Sequence, residues 1–266
     1  GWDYGTNVHY RGRPAISARA KRRAVWIRDL IASLSHRNRQ AEMMDDPALD
    51  PAEHRRALKG LSLLNRASRS SCIGWQPIHA LGRGLQIDRL RVLDIGSGAG
   101  DVLLGLWKLA SRYQWKLDLH GIDISDRAIA YAKDRARTAG ARIEYTQLDA
   151  LEDPLPMDYD VLISSLFYHH LSEEQVVLLL EKMAAATKHL VIVNDLRRCY
   201  AGLLLAHVSC RLLTRSRVVH TDGPRSVRAA FTSEEMQVLA RRAGLNDTYV
   251  AHRWPCRFLC TWRKRL

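Results

Sequence analysis

The sequence predicts an α/β fold in which helices cover both faces of a mostly parallel sheet, with a helical cap on the N-terminal side. Short apolar runs rich in branched residues, such as residues 91–95, are typical of buried parallel strands. Amphipathic segments with helical spacing, such as residues 101–111, alternate with these runs along the chain. With 266 residues, 47% of them hydrophobic, the chain is long enough to bury one sizeable core.

The segment ahead of the first strand is predicted to form an arm and a helical cap over residues 1–90. Residues 1–17 have no periodic pattern and indicate an extended arm. Residues 18–34 place apolar side chains on one helical face, with arginines and a lysine elsewhere. Such a basic amphipathic helix either packs against the domain or makes a peripheral contact with a membrane surface.

A further helix of the cap is predicted to begin after Asp50. The Asp50 side chain is suited to cap it, and Pro51 fits the first helical position. Glu53 is placed to close a capping box with Asp50.

A glycine-rich turn joins the first strand to the helix that follows it. Gly96, Gly98 and Gly100 stand at alternate positions after the strand. Because glycine has no Cβ, the backbone can bend sharply there and a ligand can lie against it. The spacing G-x-G-x-G differs from the G-x-G-x-x-G of dinucleotide-binding folds, so the turn favours a different nucleotide.

Acidic residues end the next two predicted strands. The strand over residues 116–123 ends in Asp123, and the strand over residues 143–147 is followed by Asp149. Between them Ser125 is suited to cap a helix over residues 126–139. Because the carboxyl ends of parallel strands meet at one edge of a sheet, these acids are expected to serve one site together with Asp94.

Asp94 and the three glycines match the motif D-x-G-x-G-x-G, and the chain resembles the class I methyltransferases that use S-adenosylmethionine (SAM). The resemblance implies a Rossmann-like, seven-stranded, mostly parallel sheet over residues 91–266, with SAM as cofactor and S-adenosylhomocysteine as product. It also implies that Asp123 binds the ribose hydroxyls and that Asp149 binds the adenine amino group. The complete predicted cofactor site is Asp94, Gly96, Ser97, Gly98, Gly100, Asp123, Ile124, Asp149, Ala150 and Ser165.

The fourth predicted strand, residues 160–165, ends in the segment LFYHHL. This exit lacks the Pro-Pro-aromatic motif of methyltransferases that modify the amino groups of bases, which argues against nucleic-acid N-methylation. It is similar to small-molecule methyltransferases of ubiquinone and menaquinone biosynthesis and of polyketide tailoring.

Histidine suits the removal of a proton from a phenol or enol, because its ordinary pKa of about 6.5 leaves it largely neutral at pH 7. The candidate catalytic bases, in order, are His170, His169 and His220. His220 is expected in a polar turn over residues 220–227. No metal ion is expected, because the resemblance assigns the acids to the cofactor.

The remaining elements continue the alternation of helices and strands. The apolar segment 200–213 predicts either a wall over an apolar substrate, within a lid insertion at 196–231, or a plain core helix. The Pro255-Cys256 pair is interpreted as structural. The other predicted elements are a helix from Ser172 to about residue 187, a strand at 189–195, a helix at 233–243, and closing strands at 246–250 and 258–262.

The net charge of +13 is unevenly distributed along the chain. Residues 1–90 carry 16 basic and 8 acidic residues, residues 91–195 carry 11 and 16, and residues 196–266 carry 14 and 4. The core is therefore acidic and the flanks are basic, so the flanks face RNA, an anionic membrane, an acidic substrate or only solvent. Five cysteines without C-x-x-C spacing indicate reduced thiols, and the chain has no apolar run long enough for a membrane span. We expect a soluble, cytoplasmic protein.

These observations predict a SAM-dependent methyltransferase acting on an apolar aromatic or polyketide-like small molecule, at a phenolic oxygen. Three alternatives stay open at this point. They are carbon methylation of a quinone precursor, methylation of RNA, and a SAM-sensing or nucleic-acid-binding protein without turnover.

Overall fold

The computed structural model describes residues 34–46 and 48–265. The predicted arm and almost the whole predicted basic helix, with its membrane contact, lie outside these residues. Residues 37–266 form one compact unit. Within this unit residues 70–85 pack against the sheet, and the predicted domain boundary at residue 90 stays a prediction.

One seven-stranded sheet organises residues 37–266, and its order is β3-β2-β1-β4-β5-β7-β6. Strands β1 to β5 run parallel to one another, whereas β7 is antiparallel to both β5 and β6. The strands are β1 (Arg89–Ile95), β2 (Lys116–Asp123), β3 (Ile143–Gln147), β4 (Tyr159–Ser165), β5 (Thr187–Leu196), β6 (Tyr249–Arg253) and β7 (Arg257–Arg263). The predicted seven-stranded, mostly parallel sheet is confirmed.

Helices lie on both faces of the sheet, and two short 3₁₀ turns, Met43–Asp45 and Tyr168–His170, accompany them. The helices are α1 (Pro51–Ala67), α2 (Ser70–Leu85), α3 (Asp101–Arg112), α4 (Asp126–Thr138), α5 (Glu173–Ala186), α6 (Tyr200–Leu213), α7 (Arg217–Ala229) and α8 (Ser233–Arg242). Within the described part of the chain, no helix combines the length and apolar character that crossing a bilayer requires.

Two hydrophobic clusters separate along the sheet because successive side chains of a strand point to opposite faces. In β1, Leu93 and Ile95 pack in a cluster with α5 and α8, while Leu90 and Val92 pack in a cluster with α2, α3 and α4. All four of these β1 side chains are fully buried. The strand is therefore covered on both sides, as its near-continuous apolar run predicts.

Local capping signals in the sequence place several helix starts correctly. Ser172 and Thr232 each form a capping box, with Gln175 and Glu235 respectively. Asp50 accepts hydrogen bonds from the backbone N–H groups of residues 52 and 53. The capping box predicted for Glu53 is not formed, because its carboxylate pairs with Arg56 instead.

Two predictions about the secondary structure are wrong, and one helix is missing from the predictions. Residues 220–227 are the middle of helix α7 and not a polar turn, since Ser216 caps the helix and Val218, Val219 and Val227 bury one side of it. Strand β6 begins at Tyr249, three residues later than expected. Helix α2 has no counterpart among the predicted elements.

Candidate active site

A cavity of about 730 Å³ opens at the carboxyl ends of β1, β2 and β4. In open α/β sheets this is the edge where ligands bind. The sheet contributes its strand exits, and the opposite wall comes from the segment before α1, from α1 itself and from α7. The lining residues include Glu42, Met44, Asp45, Leu58, Asn65, Asp94, Gly96, Ser97, Gly98, Asp123, Ile124, Ser165, Phe167, His169, His170 and Ser226.

The glycine turn forms the floor of this cavity. Gly96, Gly98 and Gly100 have φ values of +68°, +50° and +72°, in the left-handed region. The Gly98 N–H donates a hydrogen bond of 2.7 Å to Asp123 at the end of β2. This bond fixes the position of the Asp123 carboxylate relative to the turn. Burial raises the pKa of Asp123, and hydrogen bonds from the backbone N–H groups of Ser125 and Gly98 oppose that rise.

Three buried polar atoms of cavity-lining residues have no hydrogen-bond partner among the residues that the structure describes. They are Asp94 Oδ1, Ser97 Oγ and Ser165 Oγ, and all three residues line the cavity. Burial, with the negative charges of Asp123 and Asp101, raises the pKa of Asp94 well above its ordinary value. A buried polar atom without a partner is costly, so the site is shaped for a ligand that supplies amino and hydroxyl groups. SAM carries both, and the residues present fit it.

Asp101, at the start of α3, connects this turn to the cap. Its Oδ2 accepts hydrogen bonds from Ser62 at 3.0 Å and Asn65 at 3.2 Å, both on α1. Its Oδ1 lies 2.6 Å from Arg135 of α4. The carboxylate therefore joins the cap helix to the glycine turn.

Most of the predicted cofactor residues line the cavity, and three do not. Asp94, Gly96, Ser97, Gly98, Asp123, Ile124 and Ser165 are lining residues. Gly100 faces Tyr145, since a Cβ on it would lie 2.3 Å from the Tyr145 hydroxyl. Asp149 accepts a 2.9 Å hydrogen bond from the Leu151 N–H and, like Ala150, lies outside the lining set. The adenine contact assigned to Asp149 by resemblance stays a prediction.

His169 and His170 lie side by side at the exit of β4, with ring centroids 4.3 Å apart. His169 Nδ1 is 2.7 Å from Asp195 Oδ1 at the end of β5. Burial alone would raise the pKa of Asp195, but His169 and the Leu196 N–H lower it below its ordinary value. An anionic Asp195 assigns the proton of a neutral His169 to Nδ1, so that Nε2 is free to accept another.

His170 has different partners and a different charge. Its Nδ1 lies 3.4 Å from Asp45, and its Nε2 lies 4.0 Å from Glu42. Burial opposes a charge on His170, but the hydrogen bond to Asp45 and the negative charges of Glu42, Asp45 and Asp195 raise its pKa to about 9. His170 is therefore protonated at neutral pH. A general base must be neutral to accept a proton, so His170 does not suit the role for which it was the first candidate.

His220 does not join the other two histidines. It lies on α7, where its Nε2 donates a 2.9 Å hydrogen bond to the carbonyl oxygen of Thr214. It is not among the residues that line the cavity. The geometry thus favours His169 over both His170 and His220 as the group that accepts a proton.

No sequence signal predicts the segment that completes the site. Arg37 donates to the carbonyl oxygens of His169 at 2.8 Å and Leu171 at 2.6 Å, and its guanidinium stacks 3.7 Å from the Phe231 ring centroid. A few residues on, Glu42 and Asp45 face the two histidines. These residues lie in a stretch without periodicity, and only the fold brings them to β4.

Glu42, His169 and His170 also offer a group of possible metal ligands. One ligand atom from each lies within 4.8 Å of the others, and the Nδ1 atoms of both histidines face carboxylates. The same atoms have partners without an ion, because Ser226 donates a 2.5 Å hydrogen bond to Glu42 and a protonated His170 balances the carboxylates.

Comparison with known proteins identifies the central part of the chain. A protein-family model described as a methyltransferase domain matches residues 92–189, from β1 into β5. Residues 92–189 therefore belong to a methyltransferase domain. The predicted family and the predicted cofactor, SAM, are confirmed.

Individual relatives of the methyltransferase domain are distant. The carboxy-S-adenosyl-L-methionine synthase of Nautilia profundicola is 36% identical over 84 residues, a match that covers 29% of this chain and 34% of that protein. The chain thus spans about a third of the length of the curated relative it matches.

Solved structures share the fold over nearly the whole chain. The plantazolicin methyltransferase BpumL, in complex with a pentazolic desmethylPZN analog and SAH, has a TM-score of 0.62 at 15% identity, covering 91% of this chain and 99% of that one. Human N-acetylserotonin methyltransferase, in complex with SAM, has a TM-score of 0.59 at 17% identity, covering 94% and 68%.

Proposed function

We propose that this chain transfers the methyl group of SAM to a phenolic oxygen of an apolar aromatic or polyketide-like small molecule, with His169 as general base. The observation that carries the proposal is the hydrogen bond of 2.7 Å between His169 Nδ1 and the buried Asp195. It leaves the second ring nitrogen of a cavity-lining histidine free to take a proton.

The reaction requires little covalent chemistry from the protein. When bound, SAM supplies a methyl group on a positively charged sulfur, and the electron pair of the broken carbon–sulfur bond stays on that sulfur. The residues of the chain align the two partners and exclude water. His169 Nε2 takes the hydroxyl proton as the new oxygen–carbon bond forms, and Asp195 stabilises the resulting imidazolium.

The acidic character of the cavity favours a small neutral acceptor over RNA. Glu42, Asp45, Asp46, Asp123 and Asp126 all line it. RNA binds through its phosphates and needs positive charge at the contact. The names of the two structural neighbours, which refer to N-acetylserotonin and plantazolicin, point in the same direction.

Transfer of a labelled methyl group from SAM tests the proposal. The purified full chain receives two acceptor pools, an organic extract of phenolic metabolites and unmodified total RNA. We expect label in the organic pool and, by NMR of the isolated product, a methyl group on oxygen. Label in RNA, or a methyl group on carbon, would overturn the corresponding part of the proposal; bound SAM without label in either pool would favour the sensing role.

A matched pair of variants tests the base. His169→Asn should lower the rate by about 10²- to 10⁴-fold, the usual contribution of a general base. His189→Asn is the control, because His189 also faces an aspartate, Asp160 at 4.0 Å, but at the opposite end of its strand. Both variants should keep their SAM affinity. Loss of activity in a chelator, restored by a divalent cation, would instead assign His169 to a metal site.

A further inference from the structure

Helix α6 turns apolar side chains toward solvent. Leu204, Val208 and Leu212 are four residues apart and therefore lie on one side of the helix. Their exposed fractions are 67%, 46% and 78%. With Leu205, which is 40% exposed, they form the apolar stripe of α6.

The opposite side of α6 is apolar as well. Leu203 and Cys210 are buried where α6 packs, and its neighbours are α1 and α7. Apolar side chains therefore lie on two sides of α6, and its polar residues are His207, Ser209 and Arg211. The exposure of the stripe shows that α6 is not the plain core helix that was one expectation for this segment.

The surroundings of the stripe are positively charged. No aspartate or glutamate occurs in residues 196–221. Arg211, Arg215 and Arg217 are exposed at the end of α6 and the start of α7. Isolated apolar side chains on a surface are ordinary, but a continuous stripe bordered by basic residues marks an interaction site.

We propose that α6 binds the surface of an anionic lipid bilayer, with its stripe among the acyl chains and the three arginines at the headgroups. Helices with an apolar face and flanking cations bind membranes in this way. Fourteen residues of helix, about 21 Å by the usual rise, are too short to span a bilayer, so α6 lies in the plane of the interface.

Charge decides between a bilayer and a second copy of the chain. Two copies that met through this stripe would bring their arginines together and repel each other, whereas an anionic bilayer neutralises them. The position of α6 also suits the proposed function, and only this argument from position rests on that function. Helices α1 and α7 pack against α6 and supply Leu58 and Ser226 to the wall of the cavity, so one layer of helices connects the membrane-binding surface to the site.

Co-sedimentation of the full chain with vesicles tests the proposal, using phosphatidylcholine alone or mixed with phosphatidylglycerol. The wild-type chain should bind the mixed vesicles, and the double variant Leu204→Gln/Leu212→Gln should bind at least about tenfold more weakly, because two leucines no longer leave water. Val238→Gln, at a 51% exposed site on α8, is the control and should bind like the wild type. Arg211→Gln/Arg215→Gln should lose most of the preference for the anionic lipid.

The outcome does not depend on catalysis. SAM binding by each variant shows that it is folded, and methyl transfer is measured separately. Equal binding of the wild type and the leucine double variant would overturn the proposal, as would a failure of the wild type to bind. A decrease in sedimentation coefficient of the leucine variant without lipid would assign the stripe to a second copy of the chain.

Discussion

Replacement of Gly98 by alanine separates the role of the glycine turn in folding from its role in binding. Gly98 has φ of +50°, and a Cβ built on it meets no atom within 4 Å. Gly140, between α4 and β3, is its matched control, because its φ is +67° and its Cβ also meets nothing. The left-handed backbone costs a non-glycine residue roughly 1–2 kcal/mol. Both variants should therefore lose about the same stability, roughly 2–8 °C in Tm.

The two variants should differ in their affinity for SAM. Gly98 lines the cavity, and its added Cβ meets no protein atom, so the methyl group takes up space that the ligand needs. We expect Gly98→Ala to bind SAM at least about tenfold more weakly, a loss of about 1.4 kcal/mol, and Gly140→Ala to bind it normally. Thermal melts and titration calorimetry measure the two effects. Equal SAM affinities in the two variants would refute the assignment of the turn to the cofactor. A much larger stability loss for Gly98→Ala than for Gly140→Ala would show that the added Cβ of Gly98 does meet other atoms.

Three further predictions follow from the same geometry. Asp195→Asn should lower kcat by about 10²- to 10⁴-fold without changing SAM affinity, because Asp195 orients His169 and does not line the cavity; an unchanged kcat in steady-state assays would remove the pair from the mechanism. His170→Gln should cost most stability at low pH: the pKa of His170 is raised to about 9 by its surroundings, so its contribution is complete below pH 6.5 and disappears as the pH rises through 9. Denaturant titrations of both proteins across that range should converge at the alkaline end, and a constant difference would contradict the charge on His170. Ser172→Ala should cost about 1 kcal/mol of unfolding free energy through loss of the cap on α5, and a change of only a few tenths would show that the cap is dispensable.

The parallel half of the sheet could be predicted because its signals are local. The apolar run of β1 and the glycine turn after it lie within a dozen residues. The side chains of Ser125, Ser172 and Thr232 each cap a helix by accepting a hydrogen bond from the backbone N–H three residues later. Such short-range chemistry is readable from one segment at a time.

Helix α2 could not be predicted because its stability comes from other parts of the chain. Its sequence contains Pro77, a poor residue for the interior of a helix. Trp75, Ile78 and Leu81 nevertheless bury one side of it in the cluster that covers β1. Burial against the sheet outweighs the unfavourable local preference of Pro77.

The choice of the general base also depends on contacts between distant parts of the chain. The sequence identifies two adjacent histidines as candidate bases, but their ordinary pKa is the same and gives no order between them. The partner of His169 is Asp195 on β5, the strand that follows β4 in the chain. The charge of His170 depends on Asp45, more than a hundred residues earlier. The rank of His169 over His170 is therefore visible only after the chain has folded.

The attachment of the segment before α1 has a consequence for the order in which the protein is made. The backbone N–H groups of Met43 and Met44 both donate to Asp222 at 3.0 Å, and Ser226 holds Glu42. A ribosome synthesises this segment early but its partners on α7 late, about 180 residues apart. Contacts of such wide sequence separation form slowly, because a long loop must close first. A nascent chain therefore completes its parallel strands before it can enclose the cavity. The glycine turn at the base of the cavity is in place before the wall that α7 and the segment before α1 form together.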